Sequence, residues 1–347
     1  MKRFTKICAL VCALAASFSF SGCADTSWSL KSGDITMPTG VYVYFLMQNA
    51  GYVTTYAASS SSSSTSSNSD PWSQQIDGKN AVSWAINNAL DSCKQLMVIE
   101  KQAAERKVTL TSDEKSAAKA KAEQAYTTYK DLFTKNGISQ ASIERYLDDM
   151  YLKDELFKSY YGEKGDKAVS ASELADYYTK NFAHIKQIFV SKIDTSTYQP
   201  LSSDKLESQK KKANEAYAAV KNDLKNFQTY VDKYNEDTGM KQNPDGYIFS
   251  KQTAQSLGYD QKFVDLAFSL KEGEVGMAES DMGYFIEYRV KTDPSASSYN
   301  DSMKQTVLSE MKYPEFQNLL KDLVSKEKFT QNDKAINKFN PKKIKLS

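Results

Sequence analysis

Between Lys186 and Val290 the chain runs through extended, helical and turn-forming segments in an order that few folds can satisfy. A β-like run, Lys186-Gln187-Ile188-Phe189-Val190, comes first. A Lys/Ala-rich helical stretch follows, then Lys233-Tyr234-Asn235-Glu236-Asp237. A turn at Asn243-Pro244-Asp245-Gly246 leads into Tyr247-Ile248-Phe249. Next comes Phe263-Val264-Asp265-Leu266-Ala267-Phe268-Ser269-Leu270, followed by Lys271-Glu272-Gly273-Glu274-Val275. Gly283-Tyr284-Phe285-Ile286 closes the pattern. Strands are expected near 184–191, 246–250, 274–279 and 284–290, with helices around them.

Helical patterns lie on both sides of this segment. One spans about Lys79–Arg106. A second starts at the capping box Thr111-Ser112-Asp113-Glu114 and stops near Gly137. A third spans about Gln140–Tyr161, with Ile143, Leu147, Met150 and Phe157 on one side. Ser170-Ala171-Ser172-Glu173 is another capping box, opening a short helix to about Lys180. Beyond the central segment a helix from about Asn300 to Lys328 is expected to be interrupted at Pro314. The last helix can pack on the first ones. The fold class is therefore α+β, a discontinuous helical domain with an inserted domain. The expected boundaries are 78–180 for the helical block, 181–292 for the insert, and 293–347 for the completing helix with its solvated, lysine-rich tail.

The N-terminus reads as an export signal over 1–22. Lys2, Arg3 and Lys6 form a basic start, and Ile7 to Phe20 is uncharged and mostly apolar. That run is shorter than the ~20 apolar residues a spanning helix needs. It ends Phe20-Ser21-Gly22-Cys23, similar to the lipobox of bacterial lipoproteins, which implies acylation of Cys23. Ordinary cleavage after Ala24 is the alternative. Residues 23–77 are expected to hold a tether from Asp25 to Thr36, a short helix from Pro38 to Tyr52 with Val41, Phe45 and Ala50 on its apolar side, and a flexible loop at Ser59–Ser69. Removing 1–22 takes the formal charge from +2 to −1, so nothing in the charge points to nucleic acid. Cys93 sits at helical spacing with Val82, Ile86, Ala89 and Met97 and reads as a small core residue. One histidine, His184, and no cysteine cluster argue against a metal site.

The central segment resembles the parvulin (PpiC-type) family of peptidyl-prolyl isomerases. With the flanking helices, the chain resembles extracytoplasmic foldases of the PrsA type and periplasmic chaperones of the SurA type. The resemblance implies a protein-folding function on unfolded or partly folded exported proteins. It also implies a four-stranded antiparallel sheet plus helices in the inserted domain, a helical chaperone domain around it, attachment to the membrane by the lipid, and no cofactor. An outer-face location on the bacterial cytoplasmic membrane is expected, with a periplasmic or outer-membrane lipoprotein as the alternative. The reaction rotates an X–Pro amide past a barrier of ~18–20 kcal/mol without making or breaking a bond. Phe263 matches the family's pocket phenylalanine, Tyr259 stands where methionine is common, and Phe249 is expected to form a wall. Asp237 matches the Cys-or-Asp position beside the reacting amide.

Two departures stand out. Gln187 occupies the position of the family's first histidine, and Phe285 that of the second. Gln187 can still donate and accept a hydrogen bond; Phe285 can do neither. His184 lies three residues from Gln187 and so faces the other side of its strand. Gly246 replaces a leucine of the pocket wall. Weak isomerase activity and a non-catalytic holdase chaperone are the two readings that remain. A solute-binding lipoprotein would need strand–helix alternation in two lobes, and the N-terminal half is helical.

Overall fold

The computed structural model describes residues 27–61, 70–194 and 196–347. The segment expected as an export signal, Cys23 and most of the serine run lie outside these residues. The chain opens with β1 (Trp28–Ser32), β2 (Ile35–Pro38) and α1 (Thr39–Ser61), then α2 (Ala81–Arg106), α3 (Ser112–Thr128), α4 (Lys130–Asn136) and α5 (Gln140–Tyr161). It continues with α6 (Ala171–Asn181), β3 (Phe182–Ser191), α7 (Ser203–Asn222), α8 (Phe227–Tyr234), β4 (Tyr247–Ser250), α9 (Lys251–Ser256) and α10 (Gln261–Ser269). β5 (Val275–Glu279), β6 (Gly283–Val290), α11 (Asp301–Lys326), β7 (Thr330–Gln331) and α12 (Asp333–Ile336) complete it. Two compact units result, one discontinuous (up to Tyr160, and Glu315–Ser347), the other continuous (Tyr161–Pro314).

In the discontinuous unit, small residues recur along α2 at Ala81, Ala85, Ala89 and Cys93, all fully buried. That four-residue spacing puts them on one stripe, and α1 packs closely against α2. Val41, Tyr42, Leu46, Ala50 and Val53 fill the facing side of α1. Both expected capping boxes form: Thr111 accepts from Glu114 N, and Ser170 from Glu173 N. The stretch from Thr111 breaks at Tyr129 into α3 and α4, and Gly137 ends α4 at φ +73°, a left-handed position. Arg145 grips Glu100 through Nη2, 2.6 and 2.8 Å from its two carboxylate oxygens. Asp149 is buried beside them, and burial holds its carboxyl well above the usual carboxylate range.

Three sequence expectations differ from this unit. The segment expected as a tether forms β1 and β2, because Leu30 and Met37 alternate into the core at 0% exposure. The lysine-rich tail is not a free solvated run. β7 pairs with β1, and Ala335, Ile336 and Pro341 between the lysines are buried. Pro314 does not interrupt α11. Buried Val307 and Leu308 before it, and Phe316 and Leu320 after it, anchor the turns on either side. The division between the compact units falls at this proline, so only the second half of α11 belongs to the helical unit. Phe316 meets Phe157 there, ring centroids 5.4 Å apart.

In the continuous unit four antiparallel strands lie in the order β4-β3-β6-β5. Ile188 faces Ile286, Gln187 faces Glu287, and Phe189 faces Phe285 across the central pair. Alternation then assigns the faces. Ile188, Val190, Tyr284 and Ile286 meet Ala213, Ala216 and Val220 of α7, with Phe227 and Val231 of α8. Ala183, Ile185 and Phe285 share the other face with Phe249 of β4, Ala254 of α9, and Phe263, Val264 and Ala267 of α10. α6 and the first half of α11 add a smaller core of Tyr178, Phe182, Tyr299 and Val307. Here α6, expected in the helical block, packs with the inserted unit.

Candidate active site

β4 pairs with β3 only as far as Ile185. Beyond it the segment 235–237 takes over that edge. Asn235 Oδ1 accepts from Phe189 N (2.8 Å), Glu236 N donates to Phe189 O (2.8 Å), and Glu236 Oε2 accepts from Ser191 N (2.7 Å). Lys212 Nζ, 2.6 Å from Glu236 Oε1, adds a partly exposed ion pair. These bonds satisfy backbone donors that the strand would otherwise leave open. They also fix Asp237 at the edge of a cavity of about 340 Å3.

Phe189, Phe263 and Phe285 form the apolar lining, with Tyr259 and Met282 at its sides. The ring centroids of Phe189 and Phe285 are 4.9 Å apart, and those of Phe263 and Phe285 5.5 Å. Asp237 is the polar corner. Its Oδ2 accepts from Gln187 Nε2 (2.8 Å) and from Tyr247 Oη (2.6 Å), and its Oδ1 accepts from Gly239 N (2.8 Å). Three donors thus fix the orientation of one carboxylate. Burial and that hydrogen bond push the Tyr247 phenol well above its usual range, so it stays a donor. Burial, helped by the Asp237 charge, raises Tyr259 as well.

Of the residues expected at the site, Gln187, Asp237, Tyr259, Phe263 and Phe285 come together around this cavity. Phe249 does not line it. Its ring is 1% exposed and lies against Phe263 (5.2 Å) and Tyr259 (5.4 Å). Paired with Ala183, it points into the core and supports the lining from behind. Tyr247, two residues earlier on the same face, reaches the cavity instead. Phe189, two residues after Gln187, reaches the cavity by the same strand parity. Met282, in the β5–β6 turn, carried no sequence signal. His184 stands on the opposite face, its Nε2 2.6 Å from Asp245 O in the turn before β4. Gly246 in that turn has φ +100°, and a Cβ there would lie 2.5 Å from Ile185 O. The backbone of β3 thus takes the space a wall side chain would need.

Residues 174–291 match the family model described as the PPIC-type PPIase domain. This segment is a PPIC-type peptidyl-prolyl isomerase domain of parvulin kind; the match does not extend over the helical unit. The chain is similar to solved structures of three foldase proteins. PrsA from Streptococcus pneumoniae is 15% identical at a TM-score of 0.41, covering 72% of this chain and 87% of that one. PrsA from Bacillus subtilis is 18% identical at 0.32, covering 76% and 93%. PrsA from Lactococcus lactis is 15% identical at 0.37, covering 89% and 96%. No curated protein matches the chain.

Proposed function

We propose that this chain is a membrane-anchored, extracytoplasmic protein-folding factor that binds proline-containing segments of exported proteins and isomerises X–Pro bonds weakly. One observation carries the reading: a cavity lined by Phe189, Phe263 and Phe285, with the Asp237 carboxylate at its corner, inside a PPIC-type domain. An apolar cavity suits a proline ring, and a fixed anion at its edge biases the amide's surroundings as resonance is lost. Gln187 and Phe285, where histidines are expected, support the weakness of the catalysis. Phe285 packs between aromatic rings and offers no hydrogen bond. The same packing favours a second reading, a non-catalytic holdase whose inserted unit only binds peptide. NMR exchange spectroscopy on a short alanyl-prolyl peptide separates them. Exchange enhanced by substoichiometric protein supports the enzyme; binding without enhancement supports the holdase.

Anchoring is proposed from the basic, apolar N-terminal segment ending Ser21-Gly22-Cys23. Among the described residues no helix is long and apolar enough to cross a membrane. Cys23→Ala is expected to release the mature protein from the membrane fraction or to block its processing. A variant that stays membrane-bound and is processed at the wild-type site contradicts anchoring through Cys23. Clients are expected to be held by the helical unit, leaving aggregation suppression intact when the cavity is altered.

A further inference from the structure

Glu287 stands on β6 directly opposite Gln187 of β3, on the face that carries Phe285. It is 0% exposed, and neither carboxyl oxygen has a hydrogen-bond partner among the described residues. Gln187 Oε1 is likewise buried and without a partner. A buried acceptor left without a donor is destabilising, and here three sit on neighbouring side chains. The amide cannot answer by turning over. Its Nε2 donates to Asp237 Oδ2, and a carboxylate has nothing to donate back. Directly opposed residues of an antiparallel pair have Cβ atoms about 4.5–5.5 Å apart, so the two side chains are within reach of each other. A single proton resolves the conflict.

We propose that Glu287 is held as the neutral carboxylic acid and is a positioning residue of the cavity, donating its proton to Gln187 Oε1 and so keeping Gln187 Nε2 on Asp237. Phe285 leaves the cavity floor without a polar partner; Glu287, two residues along the same face, supplies one. A line of hydrogen bonds then runs from Glu287 through Gln187 to Asp237, where Tyr247 Oη also donates. The consequence for peptide binding rests on the proline-peptide reading of the cavity; the shared proton does not.

The surroundings fit a neutral acid. On the β5 side Glu287 faces Gly276, which brings no charge. A Cβ at Gly276 would fall 2.7 Å from Leu266 Cδ1 and 3.0 Å from Leu270 Cδ2, so that flank is closed by apolar groups of α10 and its C-terminal end. On the β3 side, beyond neutral Gln187, lies the Asp237 anion. On β6 itself the next residue of the same face is Arg289. Its guanidinium donates to Ala267 O (3.0 Å) and Phe182 O (2.9 Å), two backbone carbonyls. Its charge draws the Glu287 carboxyl down, but burial outweighs it and the group is pushed up to about 9. Glu272 is the other acid near Arg289.

The test uses the mature full-length chain and the variants Glu287→Gln and Glu287→Leu. An infrared difference spectrum of wild type minus E287Q at neutral pH is expected to show a protonated-carboxyl stretch that disappears as pH rises through about 9. The Gln187 side-chain amide resonance is expected to move over the same range. Affinity for a short alanyl-prolyl peptide is expected to fall about tenfold in E287L, the worth of one hydrogen bond. E287Q, whose amide still donates, is expected to recover most of that loss and to lack the wild-type fall at alkaline pH. No protonated-carboxyl band at neutral pH overturns the proposal and leaves a Glu287–Arg289 ion pair. Identical pH profiles for wild type and E287Q overturn it equally. If the peptide binds none of the proteins, the reading of the cavity fails, while the infrared and amide signals still decide the proton.

Discussion

On one face of the inserted sheet, Ile188, Val190 and Ile286 meet Ala213, Ala216 and Val220 of α7 in an aliphatic contact. On the other, Gln187, Glu287 and Arg289 are buried, and a cavity lined by Phe189, Phe263 and Phe285 opens beside Gln187. Both faces belong to the same two central strands, so local strand propensity is shared. What differs is what each face buries. The α7 face gains apolar burial, about 1.5–3 kcal/mol for each large side chain. The cavity face gives up part of that gain to hold polar groups in fixed positions, a common mark of a binding or catalytic site.

The contrast can be broken by experiment, and the largest effect is expected on the aliphatic face. Ile286→Ala is expected to destabilise the inserted unit by about 2–5 kcal/mol, read by denaturant dependence of amide exchange in β3 and β6. Peptide affinity of the protein that remains folded is expected to be little changed. Substantial loss of affinity without loss of stability would show that the two faces are not separate in role.

Asp237→Asn is the counterpart on the cavity face. It removes an anion that accepts three hydrogen bonds. A cost of about 1.5–3 kcal/mol in peptide binding is expected, the worth of hydrogen bonds to a charged group, as measured by calorimetry. Phe263→Leu keeps an apolar side chain but removes ring contacts with Phe285, Phe249 and Tyr259. An affinity loss of about 0.5–1.5 kcal/mol is expected, the usual worth of an aromatic pair. Indifference of binding to both changes would remove the cavity from the account.

pH sharpens the comparison. The folded-state pKa of Glu287, about 9, lies above its ordinary value of 4.5. Its contribution to stability is complete below the ordinary value, declines as pH rises, and is lost through about 9. Exchange protection of β6 is expected to fall across that window in wild type and to vary less in E287Q. Asp149 in the helical unit is also raised and has the same sign, so the reading must come from β3 and β6. The smallest effect is expected at Lys192, partly buried and paired with the exposed Glu279 (2.8 Å). Lys192→Ala is expected to cost about 0–1 kcal/mol.

How much the sequence disclosed follows the same division. Strand positions, face alternation and the two capping boxes rest on local chemistry, and the strands form close to where they are expected. Thr111 and Ser170 cap their helices because the bond is made within four residues. What the sequence hid depends on long-range contacts. β1 and β2 looked like a tether because their buried partners lie elsewhere in the helical unit. Pro314 looked like a break because its local cost is visible and the flanking core contacts are not. At the site, Phe263, Asp237 and Gln187 are legible through the family resemblance, and Tyr247 and Phe189 lie two residues from positions that the resemblance marks. Glu287 gave no local sign, since an acid in a strand usually marks the solvent side. Only the register opposite Gln187, and the closure by α10, show it buried.

A proline-containing peptide seated in the cavity is the expectation on which the others depend. It is tested most directly by an NMR titration of the mature chain with a short alanyl-prolyl peptide, followed at assigned aromatic side chains. Saturable shifts are expected at Phe189, Tyr259, Phe263 and Phe285, weakened in Asp237→Asn and Phe263→Leu. Saturable shifts confined to the helical unit, or to the α7 surface around Lys210 and Asn214, would contradict it.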